Sequence, residues 1–216
     1  MREMSVLVGK DLRLANRPLF AIFLAMDALL LVPTYPLHVA LMWVCLAIFQ
    51  TQLHFRESND VSFSMLLPIC KRDLVRGRVL FCCLVEVLQL LVAVPFAMLR
   101  RWLDPGAPVG FEANPALFGS ALIMYTLFNA IFFTMHFRTG YALGLPFLCA
   151  GLATMVYLGV AEAAANLPSL APVLAATDRA ALPPQLGVLL LGVLVFTLGN
   201  WLTYRIAATR FERVDL

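Results

Sequence analysis

Apolar residues in this chain gather into six blocks of membrane-spanning length, at 19–35, 37–53, 79–99, 115–135, 141–161 and 185–204. A helix needs about 20 residues at about 1.5 Å each to cross the hydrocarbon layer. The first two blocks are parted only by Pro33-Thr34-Tyr35-Pro36. A single helix through both would run about 35 residues and overshoot any bilayer. Two prolines also break it, so the pattern predicts a tight hairpin of two spans. Between the blocks lie polar or mixed segments at 1–18, 54–78, 162–184 and 205–216. In the first, Lys10, Arg13 and Arg17 share one helical face with Met4, Leu7, Val8 and Leu14 largely opposite. That predicts an amphipathic helix lying in the headgroup layer, with a water-extended span as the plainer reading. Segment 162–184 is Ala- and Pro-rich and nearly uncharged, which predicts short helices dipping back toward the membrane on a protein surface.

Composition agrees with immersion in lipid. Of 216 residues, 62% are hydrophobic and 13% charged, with a mean hydropathy of +0.86. A soluble domain of this size cannot bury that much apolar surface. A net charge of +3, spread over several short segments, gives no case for nucleic acid. The first 17 residues carry Arg2, Glu3, Lys10, Asp11, Arg13 and Arg17 and lack a small-residue cleavage pattern, so the first span is expected to serve as an uncleaved anchor. With six spans and both termini on one side, 13 of the 16 Lys and Arg fall on that side, against Arg100, Arg101 and Arg179 on the other. The excess of basic residues assigns both termini to the cytoplasm.

The cytoplasmic segment 54–78 holds the densest charge. After His54, Arg56, Glu57, Asn59 and Asp60 comes Leu67-Pro68-Ile69-Cys70-Lys71-Arg72-Asp73-Leu74-Val75-Arg76-Gly77-Arg78. Pro68 suits a first helical turn, where its missing N–H breaks no bond. A basic helix here lies on the water side, within reach of a soluble partner. Acidic residues of the lead-in are expected to pair with Arg72, Arg76 or Arg78, at about 0–1 kcal/mol each if exposed. A plain positive-inside anchor would explain the charge alone.

Two carboxylates fall inside apolar blocks: Asp27 in the first and Glu86 in the third. A charge at the bilayer centre costs about 2.5–3.5 kcal/mol, so each is expected to face protein or a water-filled path. A translocation path and hydrogen-bonded helix glue both remain open for them. His38, His54 and His136 stand apart without metal-ligand spacing, and the five cysteines form no CxxC. Neither GxSxG nor a Walker GxxxxGK[ST] occurs, so no ATPase site, catalytic residue, metal or cofactor is expected in this chain. Gly140-Tyr-Ala-Leu-Gly144 has GxxxG spacing and marks a place to look for close helix packing.

The charged segment resembles that of ABC-2 type permeases, the small six-span membrane subunits of bacterial ABC exporters. Their Leu-Pro-Val-Ser-Arg-Lys-Glu-Ile-Val-like run, with an acidic residue ahead and a basic one after, is matched here by Asp60, Leu67, Pro68, Lys71, Arg72, Asp73, Leu74, Val75 and Arg78. Cys70 replaces the usual Ser and Lys71 the usual Arg. Gly9-Lys10-Asp11-Leu12-Arg13 and the tail 205–214 are similar to the family's interfacial helix and basic C-terminus. The resemblance implies an all-α membrane protein of six transmembrane helices, with an N-terminal interfacial helix and a cytoplasmic coupling helix. It implies that Asp60, Pro68, Lys71, Arg72, Asp73, Arg76 and Arg78 couple the chain to a separate ATPase subunit, which binds ATP and Mg. It further implies a second permease chain, identical or related, and export of a peptide or an amphipathic or hydrophobic compound across the bacterial plasma membrane. A membrane anchor or sensor that binds an ATPase without transport, and a stand-alone channel, are the alternatives.

Overall fold

The computed structural model describes residues 9–11, 17–33, 35–66, 69–103 and 110–214, and their regular structure is entirely helical. Helical residues 9–11 come first. Then follow α1 (Arg17–Ala25), continued by a 3-10 turn (Met26–Leu31), α2 (Leu37–Glu57), α3 (Asp60–Met65) and α4 (Lys71–Leu103). The second half holds α5 (Pro115–His136), α6 (Gly144–Ala165), α7 (Ala171–Leu174), a 3-10 turn (Arg179–Ala181) and α8 (Leu182–Glu212). Most of the expected interfacial helix, at 1–8 and 12–16, lies outside the described residues, as do Leu67 and Pro68.

Among the described residues five helices, α2, α4, α5, α6 and α8, are long and apolar enough to cross a membrane. The first expected span is shorter, with nine α-helical residues followed by six in 3-10 geometry. Such a stack reaches about 25 Å, against about 30 Å of hydrocarbon. Its end is held from outside: Arg100 donates to the carbonyls of Leu30 at 2.6 Å and Val32 at 3.1 Å.

The boundary expected between a coupling helix and the third span does not exist. Lys71–Leu103 is one helix of 33 residues, opened by the Cys70 carbonyl, which accepts from the N–H groups of Asp73 at 2.9 Å and Leu74 at 3.2 Å. Lys, Arg, Leu and Val all extend a helix at small cost, and one Gly77 costs only about 1 kcal/mol. Hydropathy therefore marks where the membrane begins, not where the helix begins. The separate short helix is α3, which begins 11 residues upstream of Lys71. Asn59, at φ 50°, takes the left-handed turn that reverses the chain from α2 into α3, a conformation Asn tolerates better than most residues.

α5 is the central helix, with 72% of its apolar window buried against 17% for α6 and 22% for α8. Its aromatic face runs Phe128, Phe132, Phe133 and Phe137, with neighbouring rings 5.3–6.0 Å apart, and ends on Phe211 of α8 at 5.2 Å. α5 and α8 touch backbone to backbone. A Cβ on Gly119 would collide with the Val188 carbonyl, one on Gly192 with the Gly119 backbone, and one on Gly199 with the Thr126 side chain. Small residues permit this approach, which is how helices gain van der Waals contact in lipid. The GxxxG pair serves otherwise: Gly140, at φ 79°, ends the α5 turn with its N–H on the His136 carbonyl at 2.9 Å, and Gly144 faces open space.

The segment after α6 folds as α7 and the 3-10 turn, and its carbonyls are satisfied by neighbouring elements. Asn114, which caps α5 by accepting from the Leu117 N–H at 3.1 Å, donates to Leu174 O at 2.9 Å and Ala176 O at 3.1 Å. Gln185 donates to Val173 O at 3.0 Å and Ala176 O at 2.8 Å.

Candidate functional site

At the end of the bundle where α2 gives way to α4, four charges meet. Asp60, at the first position of α3, is 4% exposed, and Arg78, two turns into α4, is 2% exposed. Asp60 Oδ2 accepts a hydrogen bond from Arg78 Nη2. Lys10, from the N-terminal helical segment, donates to both oxygens of Asp60 at 2.8 and 3.0 Å and to Ser64 Oγ at 2.9 Å. Asp11 stands 3.6 Å from Arg78 and 3.8 Å from Lys10. The Arg78 guanidinium also lies 3.6 Å from the Phe55 ring centre on α2, a cation–π contact. α3 places Asp60 and Ser64 one turn apart on its inner face, so Phe63 (59% exposed) and the following Leu66 (84% exposed) point outward. The cluster thus clamps an apolar knob to the ends of α2 and α4 and to the N-terminal segment.

Pairing of Asp60 with Arg78 was anticipated from the acidic lead-in, but as an exposed pair of little energy. The pair is buried, and removing one member of a buried pair costs about 3–5 kcal/mol. Lys10 and Asp11 as third and fourth members had no local signal, since 50 residues separate Lys10 from Asp60. Burial pushes the Asp11 carboxyl up from its ordinary value, against the pull of Arg78 and Lys10. Asp11's folded pKa is thus raised, so its contribution favours the fold below the ordinary carboxylate range and is lost as pH rises through the raised value. Ionising Asp11 therefore costs more in the folded chain than in the unfolded one. Asp11→Asn is expected to keep detergent thermal stability within about 1 kcal/mol at pH 7, whereas Asp60→Asn loses about 3–5 kcal/mol; a larger loss for Asp11→Asn in thermal unfolding would refute the assignment.

The other basic residues of the run have separate tasks. Lys71 donates to Val214 O at 2.6 Å, and Arg72 forms a two-pronged pair with Glu212 at 2.6 and 3.0 Å. Together they tie the start of α4 to the end of α8. Asp73 sits in the first turn of α4, where a negative charge complements the helix dipole. Arg76 is exposed, and Pro68 lies outside the described residues.

Asp27 and Glu86 are both fully buried. Asp27 Oδ1 accepts from Gln89 Nε2 at 2.6 Å, linking the first hairpin to α4. Glu86 Oε2 accepts from Asn129 Nδ2 at 2.9 Å, and the same amide donates to Asn200 Oδ1 at 2.9 Å, joining α4, α5 and α8. Each carboxyl keeps one oxygen without a hydrogen-bond partner among the described residues. Arg78, Cys82, Glu86, Gln89, Ala93, Ala97 and Arg100 recur about once per turn on the buried face of α4, a polar-to-small stripe along the whole helix.

His38 is not isolated. Its Nδ1 meets Glu162 Oε1 at 2.7 Å and its Nε2 meets Ser120 Oγ at 2.9 Å, while Ser120 Oγ also meets Tyr157 Oη at 2.9 Å. The Glu162 carboxylate further accepts from the Phe111 N–H at 3.2 Å. Ser, His and Glu occur in the order of a nucleophile relay, but His38 is 0% and Ser120 4% exposed. The row acts as a strut joining α2, α5 and α6; with 124 residues between His38 and Glu162, no spacing in the sequence announces it.

A bundle with five membrane-length helices and a clamped loop helix defines a multi-pass membrane protein. The family model for ABC-2 family transporter protein matches residues 6–205. The chain belongs to this family, the membrane component of ABC transporters. Neither a curated protein nor a solved structure matches the chain.

Proposed function

We propose that the chain is the permease subunit of an ATP-driven exporter whose ATP and Mg are bound by a separate ATPase subunit. The observation that carries this reading is the clamp at Asp60, Arg78 and Lys10, which fixes an exposed apolar knob rigidly to the ends of two long helices. A knob of this kind fits a groove on a soluble motor, and the buried clamp behind it turns a push into helix movement. Contact with the ATPase falls to Phe63, Leu66 and the segment through Pro68. Asp60, Lys71, Arg72, Asp73 and Arg78 transmit force inside the chain.

The proposal includes six passes, with α1 and its 3-10 turn as the short first one, both termini in the cytoplasm, a bacterial plasma membrane and a paired second permease chain. Cargo is a peptide or an amphipathic or hydrophobic compound. Support for it comes from an apolar cleft of about 350 Å³ between α2 and α6, lined by Met42, Trp43, Phe128, Phe147 and Leu152 among others. Trp43 Nε1 is buried without a hydrogen-bond partner among the described residues, and an apolar cargo bearing a carbonyl would satisfy it. Asp27 and Glu86 are assigned as polar points that the moving bundle uncovers.

Phe63→Ser with Leu66→Ser is expected to cut recovery of a Walker-motif ATPase in mild-detergent pull-downs at least tenfold, with the melting temperature of the permease unchanged. Undiminished recovery would remove α3 as the docking element. ATPase binding without cargo-stimulated hydrolysis would favour an anchor or sensor, and transport by purified chain without nucleotide would favour a channel.

A further inference from the structure

A second cavity, about 470 Å³, opens sideways between the cytoplasmic halves of α4 and α8. Its walls come from Arg76, Val79, Leu80 and Cys83 of α4, spaced 3, 4 and 7 residues from Arg76 and so on one helical face. α8 contributes Phe196, Thr197, Asn200 and Trp201, with Tyr204 and Arg205 toward the water end. The glycine contacts draw α8 onto α5, and α4 reaches the end of α8 through the Lys71–Val214 and Arg72–Glu212 contacts.

Charge decides what fills it. Lys71, Arg72 and Arg78 are each committed to a carbonyl or carboxylate of this chain. Arg76 and Arg205, at the mouth of the cavity, have no carboxylate partner among the described residues; Arg205 only rests on the Trp201 ring at 5.4 Å. Beyond the mouth the neighbouring surface is bare and apolar, with Leu84, Leu194 and Leu198 each more than half exposed. Two unpaired guanidiniums at headgroup depth above an apolar slot are complementary to an anionic headgroup with an acyl chain below it, and guanidinium forks suit phosphate oxygens.

We propose that this groove holds one anionic phospholipid of the cytoplasmic leaflet, its phosphate between Arg76 and Arg205 and an acyl chain along Val79, Cys83 and Phe196. The leaflet rests on the orientation proposed above; the lipid chemistry does not.

Trp201 in the groove is a built-in reporter. With Trp43→Phe and Trp102→Phe it becomes the only tryptophan of the chain. The protein is placed in phosphatidylcholine nanodiscs, and a rising fraction of acyl-brominated phosphatidylglycerol or acyl-brominated phosphatidylcholine is added. Brominated phosphatidylglycerol is expected to reach half-maximal quenching at least fivefold lower in mole fraction. Arg76→Gln with Arg205→Gln is expected to abolish that difference while leaving the phosphatidylcholine curve in place, which shows the groove intact. The exposed Arg213→Gln is expected to keep the preference. Equal quenching by both lipids overturns the proposal, as does loss of preference in Arg213→Gln, which would mean diffuse surface attraction. Displacement of the brominated lipid by millimolar inorganic phosphate overturns it too, in favour of a bare anion site. Quenching reads either leaflet, so orientation is tested separately by reaction of the exposed Cys70 with a membrane-impermeant maleimide in intact cells and in inverted vesicles.

Discussion

Arg78→Gln should unfold the loop end of the bundle. The guanidinium it removes is 2% exposed, and the substitution strands Asp60 and Asp11 in a buried site with only Lys10 to balance them. Loss of one partner from a buried ion pair costs about 3–5 kcal/mol, a large part of the net stability of a domain. The expected result is a permease that purifies poorly or melts well below the wild type in detergent. Arg78→Lys should do less damage, since it keeps a charge but cannot span Asp60, Asp11 and the Phe55 ring together. Exchanging the pair, Asp60→Arg with Arg78→Asp, should not recover the loss, because it sets a cation against Lys10 and a carboxylate against Asp11. If Arg78→Gln melts with the wild type, the cluster is a surface ornament and the clamp reading fails.

The second large effect is expected at the α5–α8 seam. Gly192→Ala sets a methyl group against the Gly119 backbone, which cannot swing aside as a side chain would. Overpacking costs about 1–3 kcal/mol where neighbours can adjust, and a backbone obstacle belongs at or above the upper end. Gly159→Ala is the matched comparison: Gly159 lies inside α6 with nothing within 4 Å of its would-be Cβ. There the gain in helix propensity, about 1 kcal/mol, should appear unopposed. Melting temperatures of the two variants in one detergent decide the matter, and equal effects would mean that α5 and α8 are not in backbone contact.

The helices were legible because lipid imposes a long apolar run on each one. The block at 115–135 became α5 (Pro115–His136) almost unchanged, since Asn114-Pro115 starts it and Gly140 turns the chain after it. Where helices run on into water the hydropathy signal stops short, as at α2, which continues to Glu57, and at α4, which already begins at Lys71. The clamp was half legible. Asp60 and Arg78 are 18 residues apart in one loop and of opposite sign, but their burial depends on Lys10 and Phe55 arriving from elsewhere. The glycine seam and the His38–Glu162 strut join distant segments, and no local period marks either.

One consequence follows from the unbroken course of α4. Lys71 and Arg100 sit on a single rod, about 44 Å apart along its axis. Arg100 grips the carbonyls that end the first hairpin's 3-10 turn, while the other end of the rod is bolted to the loop helix through Arg78 and Asp60. Tilting such a rod by about 5° about its Lys71 end displaces Arg100 by about 4 Å, enough to drag those carbonyls with it. Pro95, which removes one bond from the helix ladder just before Arg100, is the joint at which that stroke softens. On the proposed coupling, one helix gears the two ends of the bundle together, and the Leu30 and Val32 carbonyls are the part it moves.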